Sequence, residues 1–350
     1  MKTSDFDYHL PPERIAQTPI EPRDASRLLV VHRQSGLLEH RTFADIGEYL
    51  RAGDILVAND SRVLPARLHG RKESGGQVEL LLLKPVSEVR WEVLARGRHL
   101  RAGVVIELSA AAAPGDPSAP PILRARVVAE LPAGSRLVEF DRPPLPELER
   151  LGDVPLPPYI HAPLTDRQRY QTVYARVDGS AAAPTAGLHF TPALIERLGA
   201  QGVHFAFVTL HIGLDTFRPL QVEQIADHAM HSEWAELSAP TVEAIHASRR
   251  AGGRCVAVGT TAVRVLEAAS RQPGAEGHLR AFSGWTNLYL TPGADFYTVD
   301  ALLTNFHLPR STLLMLVSAF AGKALIDRAY AAAVQAEYRF FSFGDAMLLL

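Results

Sequence analysis

Apolar and polar positions alternate with two different periods along the 350-residue chain, and the change of period divides it into three regions. In the first, to about residue 62, short apolar runs at 27–31 and 54–58 read as buried strands. Between them Phe43, Ile46, Tyr49 and Leu50 recur at helical spacing. In the second, short β-type runs at 78–83, 91–95, 104–108, 122–129 and 136–140 are separated by turn residues such as Gly75-Gly76. Strands this closely spaced predict a small antiparallel barrel or sandwich. The Ala/Pro-rich stretch 110–121 reads as a surface loop and the proline-rich 143–158 as an exit linker.

In the third region helix and strand alternate. Thr191 can cap a helix with Pro192 at its first position, which stops near Gly199 or Gly202. A strand at 203–212, a helix near 242–250, a strand at 254–258 and a helix at 262–269 follow. A further strand near 299–304 precedes a helix that Ser311 can cap. This alternation predicts an α/β layer with mostly parallel strands. The first region is expected to join the same sheet. The fold class is then a mostly parallel α/β main domain (1–62 and 156–350, discontinuous) with an inserted small antiparallel β-barrel domain (63–155). No internal repeat is visible.

Composition adds few constraints. The chain is 47% hydrophobic and 21% charged, enough to bury a sizeable core. Its formal net charge is -2, so any nucleic-acid contact must come from a local patch. Residues 60–101 carry nine Lys/Arg, among them Arg62, Arg67, Arg71, Lys72, Arg96, Arg98 and Arg101, against five Asp/Glu. This surplus suits a phosphate track and a solvated barrel face equally. Cys255, the single cysteine, sits in an apolar run and reads as a buried strand residue, which fits a reducing, cytoplasmic setting. The N-terminus has no apolar signal core, and the apolar run 313–322 is too short to span a bilayer, so no membrane partner is expected.

Ligands of α/β sheets sit beyond the carboxyl ends of strands, and four polar segments fall at such ends. They are Pro184-Thr185-Ala186-Gly187-Leu188-His189-Phe190-Thr191, the run from Thr209 through His211, Gly213, Asp215 and Thr216 to Phe217, Val258-Gly259-Thr260-Thr261-Ala262-Val263-Arg264, and Thr304-Asn305-Phe306-His307-Leu308-Pro309. Gly259-Thr260-Thr261 is a glycine turn opening a helix, which suits a carboxylate or plain capping by either threonine. Thr209 and His211 share a strand face with Phe205 and Phe207. His228-Ala229-Met230-His231-Ser232-Glu233 invites a metal reading, but its spacing matches no metalloprotease pattern, and acid–base or substrate contact is the better expectation. No dinucleotide fingerprint, Walker loop or nucleophile elbow is present.

Taken together and in order, these segments resemble the S-adenosylmethionine:tRNA ribosyltransferase-isomerase family of queuosine biosynthesis. The likeness extends to Phe6-Asp7-Tyr8-His9-Leu10-Pro11, Asn59-Asp60-Ser61-Arg62-Val63-Leu64-Pro65, Arg169-Tyr170-Gln171-Thr172-Val173-Tyr174-Ala175 and Phe340-Phe341-Ser342-Phe343-Gly344-Asp345. It spans the whole chain and departs at Asp215, where the family commonly has glycine. The resemblance implies an enzyme that uses S-adenosylmethionine as ribosyl donor, with no metal expected. It implies a partner tRNA carrying 7-aminomethyl-7-deazaguanine in the anticodon; a monomer is expected. On this reading His189 and His211 are expected to do acid–base work, with His231 and Glu233 as further substrate groups. Gly259, Thr260 and Thr261 would hold the methionine carboxylate, Asn305 and His307 would contact adenine or ribose, and Thr185, Gly187, Gly213 and Thr216 would complete the donor site. The rival classes are a non-catalytic RNA-binding protein and a metal-dependent hydrolase built on His228 and His231.

Overall fold

The computed structural model describes residues 1–109, 121–131, 134–213, 220 and 222–350. In chain order the strands and helices are β1 (Arg27–Val31), β2 (Leu38–Thr42), β3 (Ile55–Asn59), β4 (Ser61–Val63), β5 (Arg67–Lys72), β6 (Gln77–Pro85), β7 (Arg90–Arg96), β8 (Val105–Leu108), β9 (Leu123–Glu130), β10 (Arg136–Phe140), α1 (Leu148–Leu151) and β11 (Gly152–Asp153). There follow β12 (Val177–Ser180), α2 (Pro192–Ala200), β13 (His204–Leu210), β14 (Glu233–Leu237), α3 (Ala239–Arg250), β15 (Cys255–Val258), α4 (Thr260–Ala269), β16 (Phe282–Thr286), β17 (Ala301–Asn305), α5 (Thr312–Ala321), α6 (Lys323–Gln335) and β18 (Ala346–Leu349). The chain divides into two compact units, Met1–Arg62 with Pro157–Leu350, and Val63–Leu156.

The larger unit is built on a nine-stranded sheet of order β16-β14-β13-β3-β15-β17-β18-β1-β2. Its centre, β13-β3-β15-β17, is parallel, and so is the pair β18-β1. The outer pairings β13-β14, β14-β16, β17-β18 and β1-β2 are antiparallel. Strand period then partitions the core. Leu29, Val31, Ile55, Val57, Cys255, Ala257 and Leu302 face one cluster, with Val263 and Leu266 of α4, Met315 of α5 and Ala329 of α6. Leu28, Val30, Leu56, Ala58, Val256, Val258 and Leu303 face the other, with Phe43, Ile46, Phe190 and the α2 residues Leu194 and Leu198. Both faces are covered, so the central strands are apolar throughout instead of alternating. Cys255 is fully buried in this core, and burial pushes its thiol pKa up.

The smaller unit is an antiparallel sheet of order β11-β5-β6-β7-β10-β9-β8 in which β5 also pairs with β8, closing a six-stranded barrel. Leu68, Leu80, Val93, Ile106, Val127 and Val138 fill it. Closure leaves no free edge among those six strands.

The structure departs from the sequence expectation in particular places. Residues 43–49 form a 3-10 helix (Phe43–Tyr49), closed at its start by Thr42 and Asp45, because a span this short between two strands gives an α-helix little cooperative gain. The helices expected from 242 and 262 begin earlier, at Ala239 behind the Ser238 cap and at Thr260. Strands β2 and β5 were not foreseen, since Leu-Glu-His-Arg-Thr and Arg-Leu-His-Gly-Arg-Lys are too polar to show a strand pattern.

At the amino end of the central strands, Asp54 is completely buried. It accepts from the Arg51 and Arg254 amides at 3.0 and 2.8 Å, and from the Arg254 guanidinium at 2.6 Å. Burial works to raise its pKa, but these donors outweigh it and hold the carboxyl below its ordinary value. Asp54→Asn is expected to cost about 2–4 kcal/mol in urea denaturation, because Arg254 loses its counter-charge while still largely buried. A loss below about 0.5 kcal/mol would show that the pair does not anchor β3 to β15.

Candidate active site

An open cleft of about 840 Å³, solvent at its mouth included, lies at the carboxyl ends of β15 and β17 in the larger unit. Among its walls are Thr185, Glu233, Gly259, Thr260, Thr261, Arg264, Asn305 and His307. Helices α2, α3 and α5 each begin behind a side-chain cap, from Thr191, Ser238 and Ser311. By contrast α4 begins behind Gly259 with no side-chain cap, as α6 does behind Gly322. Gly259 has φ 88°, a left-handed conformation that glycine tolerates best, and it turns the chain from β15 directly into the helix. The Thr261 hydroxyl is buried in this wall without a protein partner. Capping by the threonines, the alternative open from the sequence, is therefore not what the structure contains. The first turn keeps its donors and its positive dipole end for something else.

Asn305, at the end of β17, ties three segments together. Its amide nitrogen donates to the Phe341 carbonyl at 3.1 Å and meets His189 Nε2 at 3.2 Å, and its oxygen accepts from the Thr185 hydroxyl at 3.2 Å. The Phe341 carbonyl can only accept, so the amide orientation is fixed, and His189 Nε2 must accept as well. His189 therefore carries its proton on Nδ1 and donates it to Ser26 Oγ at 2.7 Å. Its ring stacks on Phe43, centroids 4.9 Å apart. Phe341 itself is left-handed at φ 69°, strain of about 1–3 kcal/mol for a bulky residue, and the Asn305 bond helps to hold it.

On the opposite wall Glu233, the first residue of β14, is almost wholly buried. One oxygen accepts from the Gly213 amide at 2.8 Å and lies 3.3 Å from His231 Nε2. The other is paired with the buried guanidinium of Arg264, one turn along α4 from Thr260. Burial is the largest influence and works to raise the Glu233 pKa. The His231 hydrogen bond, the charges of Arg264 and His231 and the Gly213 amide together bring it below the ordinary carboxylate value.

Of the expected site residues, Thr185, Glu233, Gly259, Thr260, Thr261, Asn305 and His307 line the cleft. His189 does not: it stands behind Asn305 with both ring nitrogens engaged. His211 projects from the strand face opposite Ile212, and it is Ile212 that lines the cleft. The His211 ring packs over Gly179 with its Nδ1 unpartnered. Gly187 serves packing, since a Cβ there would lie 2.1 Å from the Tyr174 hydroxyl. Gly213 and His231 do not line the cleft either: Gly213 contributes its amide to Glu233, and His231 flanks Glu233 from outside the lining. Thr216 and Asp215 lie outside the described residues, as does 110–120 of the Ala/Pro-rich stretch. Tyr159 was missed, and Arg264 and Ser342, though they fall in segments read from the sequence, were given no role there. Tyr159 and Ser342 share a 2.7 Å hydroxyl–hydroxyl bond at the cleft wall, and neither stands at a strand-to-helix turn that would have flagged it. Among the described residues, no group of three or more His, Cys, Asp and Glu side chains is placed to hold a metal ion, and no helix is long and apolar enough to cross a membrane.

Burial pulls the pKa of His307 down to about 3. His189 is also lowered to about 3, by burial first and then by the charges of Arg339 and Arg23. The folded chain therefore holds both rings neutral, while an unfolded histidine titrates near ~6.5. Below that pH the unfolded state binds protons that the folded state does not. The stability contributed is present above ~6.5 and lost toward pH ~3, by up to about 1.4 kcal/mol per pH unit for each ring. The urea midpoint is expected to fall between pH 7 and pH 5, and to fall less in His307→Gln. An equal fall in the variant would show that His307 is not buried neutral.

Compared with known proteins, residues 3–349 match the family model described as Queuosine biosynthesis protein. Relatives named S-adenosylmethionine:tRNA ribosyltransferase-isomerase are 55% identical in Symbiobacterium thermophilum, 52% in Moorella thermoacetica and 49% in Desulforamulus reducens, each match covering 100% of both chains. The crystal structure of S-adenosylmethionine tRNA ribosyltransferase from Thermotoga maritima is 40% identical, covers 99% of this chain and 100% of that one, and has a TM-score of 0.56. With an aligned family model over nearly its whole length and full-length relatives at half identity or more, the chain belongs to the queuosine biosynthesis protein family.

Proposed function

We propose that this chain transfers and isomerises the ribosyl group of S-adenosylmethionine onto 7-aminomethyl-7-deazaguanine in the anticodon of tRNA, leaving epoxyqueuosine and releasing adenine and methionine. The observation that carries this reading is convergence: Thr185, Glu233, Gly259 to Thr261, and Asn305 with His307, far apart in sequence, meet in a single cleft. The work is cytoplasmic, where tRNA and donor are both present.

The sulfonium acidifies the neighbouring ribose carbon, so a base removes a proton there. Adenine leaves and takes up a proton, the aminomethyl nitrogen attacks as a neutral amine, and methionine departs with the carbon–sulfur electron pair as the epoxide closes. At least one group must accept and return protons near neutral pH. His189 and His307 are held neutral and hydrogen-bonded, which suits orientation instead. His211 is turned to the other strand face, and burial lowers its pKa. His231, whose Nε2 lies 3.3 Å from the cleft-lining Glu233 carboxylate, is assigned as the proton carrier. The α4 start and the Thr261 hydroxyl receive the methionine carboxylate. Asn305, oriented by His189 and Thr185, faces adenine or ribose.

The test is adenine release, followed by chromatography, with tRNA carrying the aminomethyl base and with tRNA carrying guanine. Release only with the modified tRNA is expected, and release with neither from folded enzyme would refute the reading. His231→Ala is expected to lower kcat by about 100-fold or more, against less than about 10-fold for His211→Ala; the reverse order would move the base to the other face of β13. Thr261→Val should leave stability within about 1 kcal/mol, because no protein hydrogen bond is lost, yet raise the donor KM by about 5- to 20-fold. An unchanged KM would remove Thr261 from the donor seat.

A further inference from the structure

Next to the main cleft lies a second, open cavity of about 270 Å³, solvent at its mouth included, walled among others by Pro19, Ile20, Arg23, Arg169, His189 and Gly344. The two cavities share Ser342, and His189 of the second is bonded to Asn305 of the first. The mechanism above leaves this second cavity unused.

Two arginines stand in its wall, with Glu21 beside one of them. Arg23 places three of its N–H groups on backbone carbonyls, those of Gln168, Gln171 and Leu188 at 2.8, 2.9 and 3.2 Å, so its position is fixed while its charge remains. Arg169 donates to the Ile20 carbonyl at 2.6 Å and meets Glu21 at 2.8 Å. The Glu21 side chain is 74% exposed, so this carboxylate can swing into water when another anion arrives. Burial, and next the charge of Arg169, lowers the Arg23 pKa. Arg339 and Arg23 both press on His189, which stays uncharged. Two guanidinium groups, those of Arg23 and Arg169, therefore share the wall of this space, and the charge of Arg169 works against that of Arg23, a cost that a bound anion would offset.

We propose that this cavity is a phosphate subsite for the RNA substrate, in which Arg169, backed by Arg23, receives a backbone phosphodiester of the anticodon loop. Guanidinium groups pair with phosphate oxygens through parallel N–H bonds, and here one of them is already immobilised. The chain as a whole carries a net charge of -2, so attraction for RNA has to be concentrated locally. Because the two cavities share Ser342, a phosphate held here stands next to the cleft. The donor's own carboxylate is the other anion present, and the α4 start offers it a separate seat across Asn305. The proposal rests on the ribosyl-transfer reading for its ligand, but its test is a binding measurement that does not need turnover.

Binding of tRNA to the full chain is measured across a salt series, together with the affinity for S-adenosylmethionine, for wild type, Arg169→Gln and Glu21→Gln. Arg169→Gln is expected to weaken tRNA binding by about 5- to 10-fold and to reduce the log–log salt slope by about 1, leaving donor affinity unchanged. Glu21→Gln, which removes only the competing carboxylate, is expected to tighten tRNA binding by about 2- to 5-fold at low salt. Should Arg169→Gln fail to fold, the Glu21→Gln result stands alone as the test. Unchanged tRNA affinity in both variants overturns the proposal. Weakened donor affinity with tRNA binding intact also overturns it and assigns the cavity to the donor's carboxylate. Failure of adenine release with these binding shifts present would strike the catalytic reading and leave the phosphate site standing.

Discussion

The buried amide of Asn305 is the constraint on which the site depends. It stands at the end of a strand that belongs to the core on both faces, and its three bonds reach Thr185, His189 and the carbonyl of Phe341. A buried amide left unpaired costs several kcal/mol, so these three segments are closed on one another at almost no freedom. Through His189 the same network reaches Ser26 and the stacked ring of Phe43. The left-handed Phe341 is held in place by this network, and the Phe341–Gly344 turn is common ground between the two cavities.

The two ends of the sheet are finished differently. At the amino end, carboxylates are saturated. Asp54 binds Arg254 and two amides, and Glu267 accepts from the amides of Tyr297, Thr298 and Val299 while pairing with Arg271. These contacts lock the chain as it enters β3, β15 and β17. At the carboxyl end, polar atoms are left without protein partners, among them the Thr261 hydroxyl, and α4 begins uncapped. Such departures from local satisfaction are expected at functional sites, with the stability they forgo recovered elsewhere.

The histidines illustrate how one residue type takes several roles. His189 and His307 are neutral structural donors and acceptors, fixed by burial. His211, the residue after β13, lies over a glycine and outside the cleft lining. His231, half-buried, places its Nε2 3.3 Å from the Glu233 carboxylate. Their spacing in the sequence carried none of these distinctions.

The sequence by itself determined the layers. Period-2 and period-3.6 patterns located β1, β3, β13, β15 and β17, the helices behind Thr191 and Ser311, and the β-rich insertion, because burial on one or two faces writes itself directly into hydrophobic spacing. It also located the polar blocks at strand ends, since Gly259 and Asn305 interrupt apolar runs. Tertiary structure alone decided which blocks share a cavity. Strand order is non-sequential, with β3 between β13 and β15, so residues near 59, 210 and 258 become neighbours without any local signal. It decided that Ile212, not His211, faces the cleft, because one residue of register turns a side chain to the other face. It likewise decided that Arg264 and Glu233 neutralise each other, and that Arg23 and Arg169 converge across more than a hundred residues. Charges and hydrogen bonds act through space, and only the folded chain brings those distances to a few ångströms.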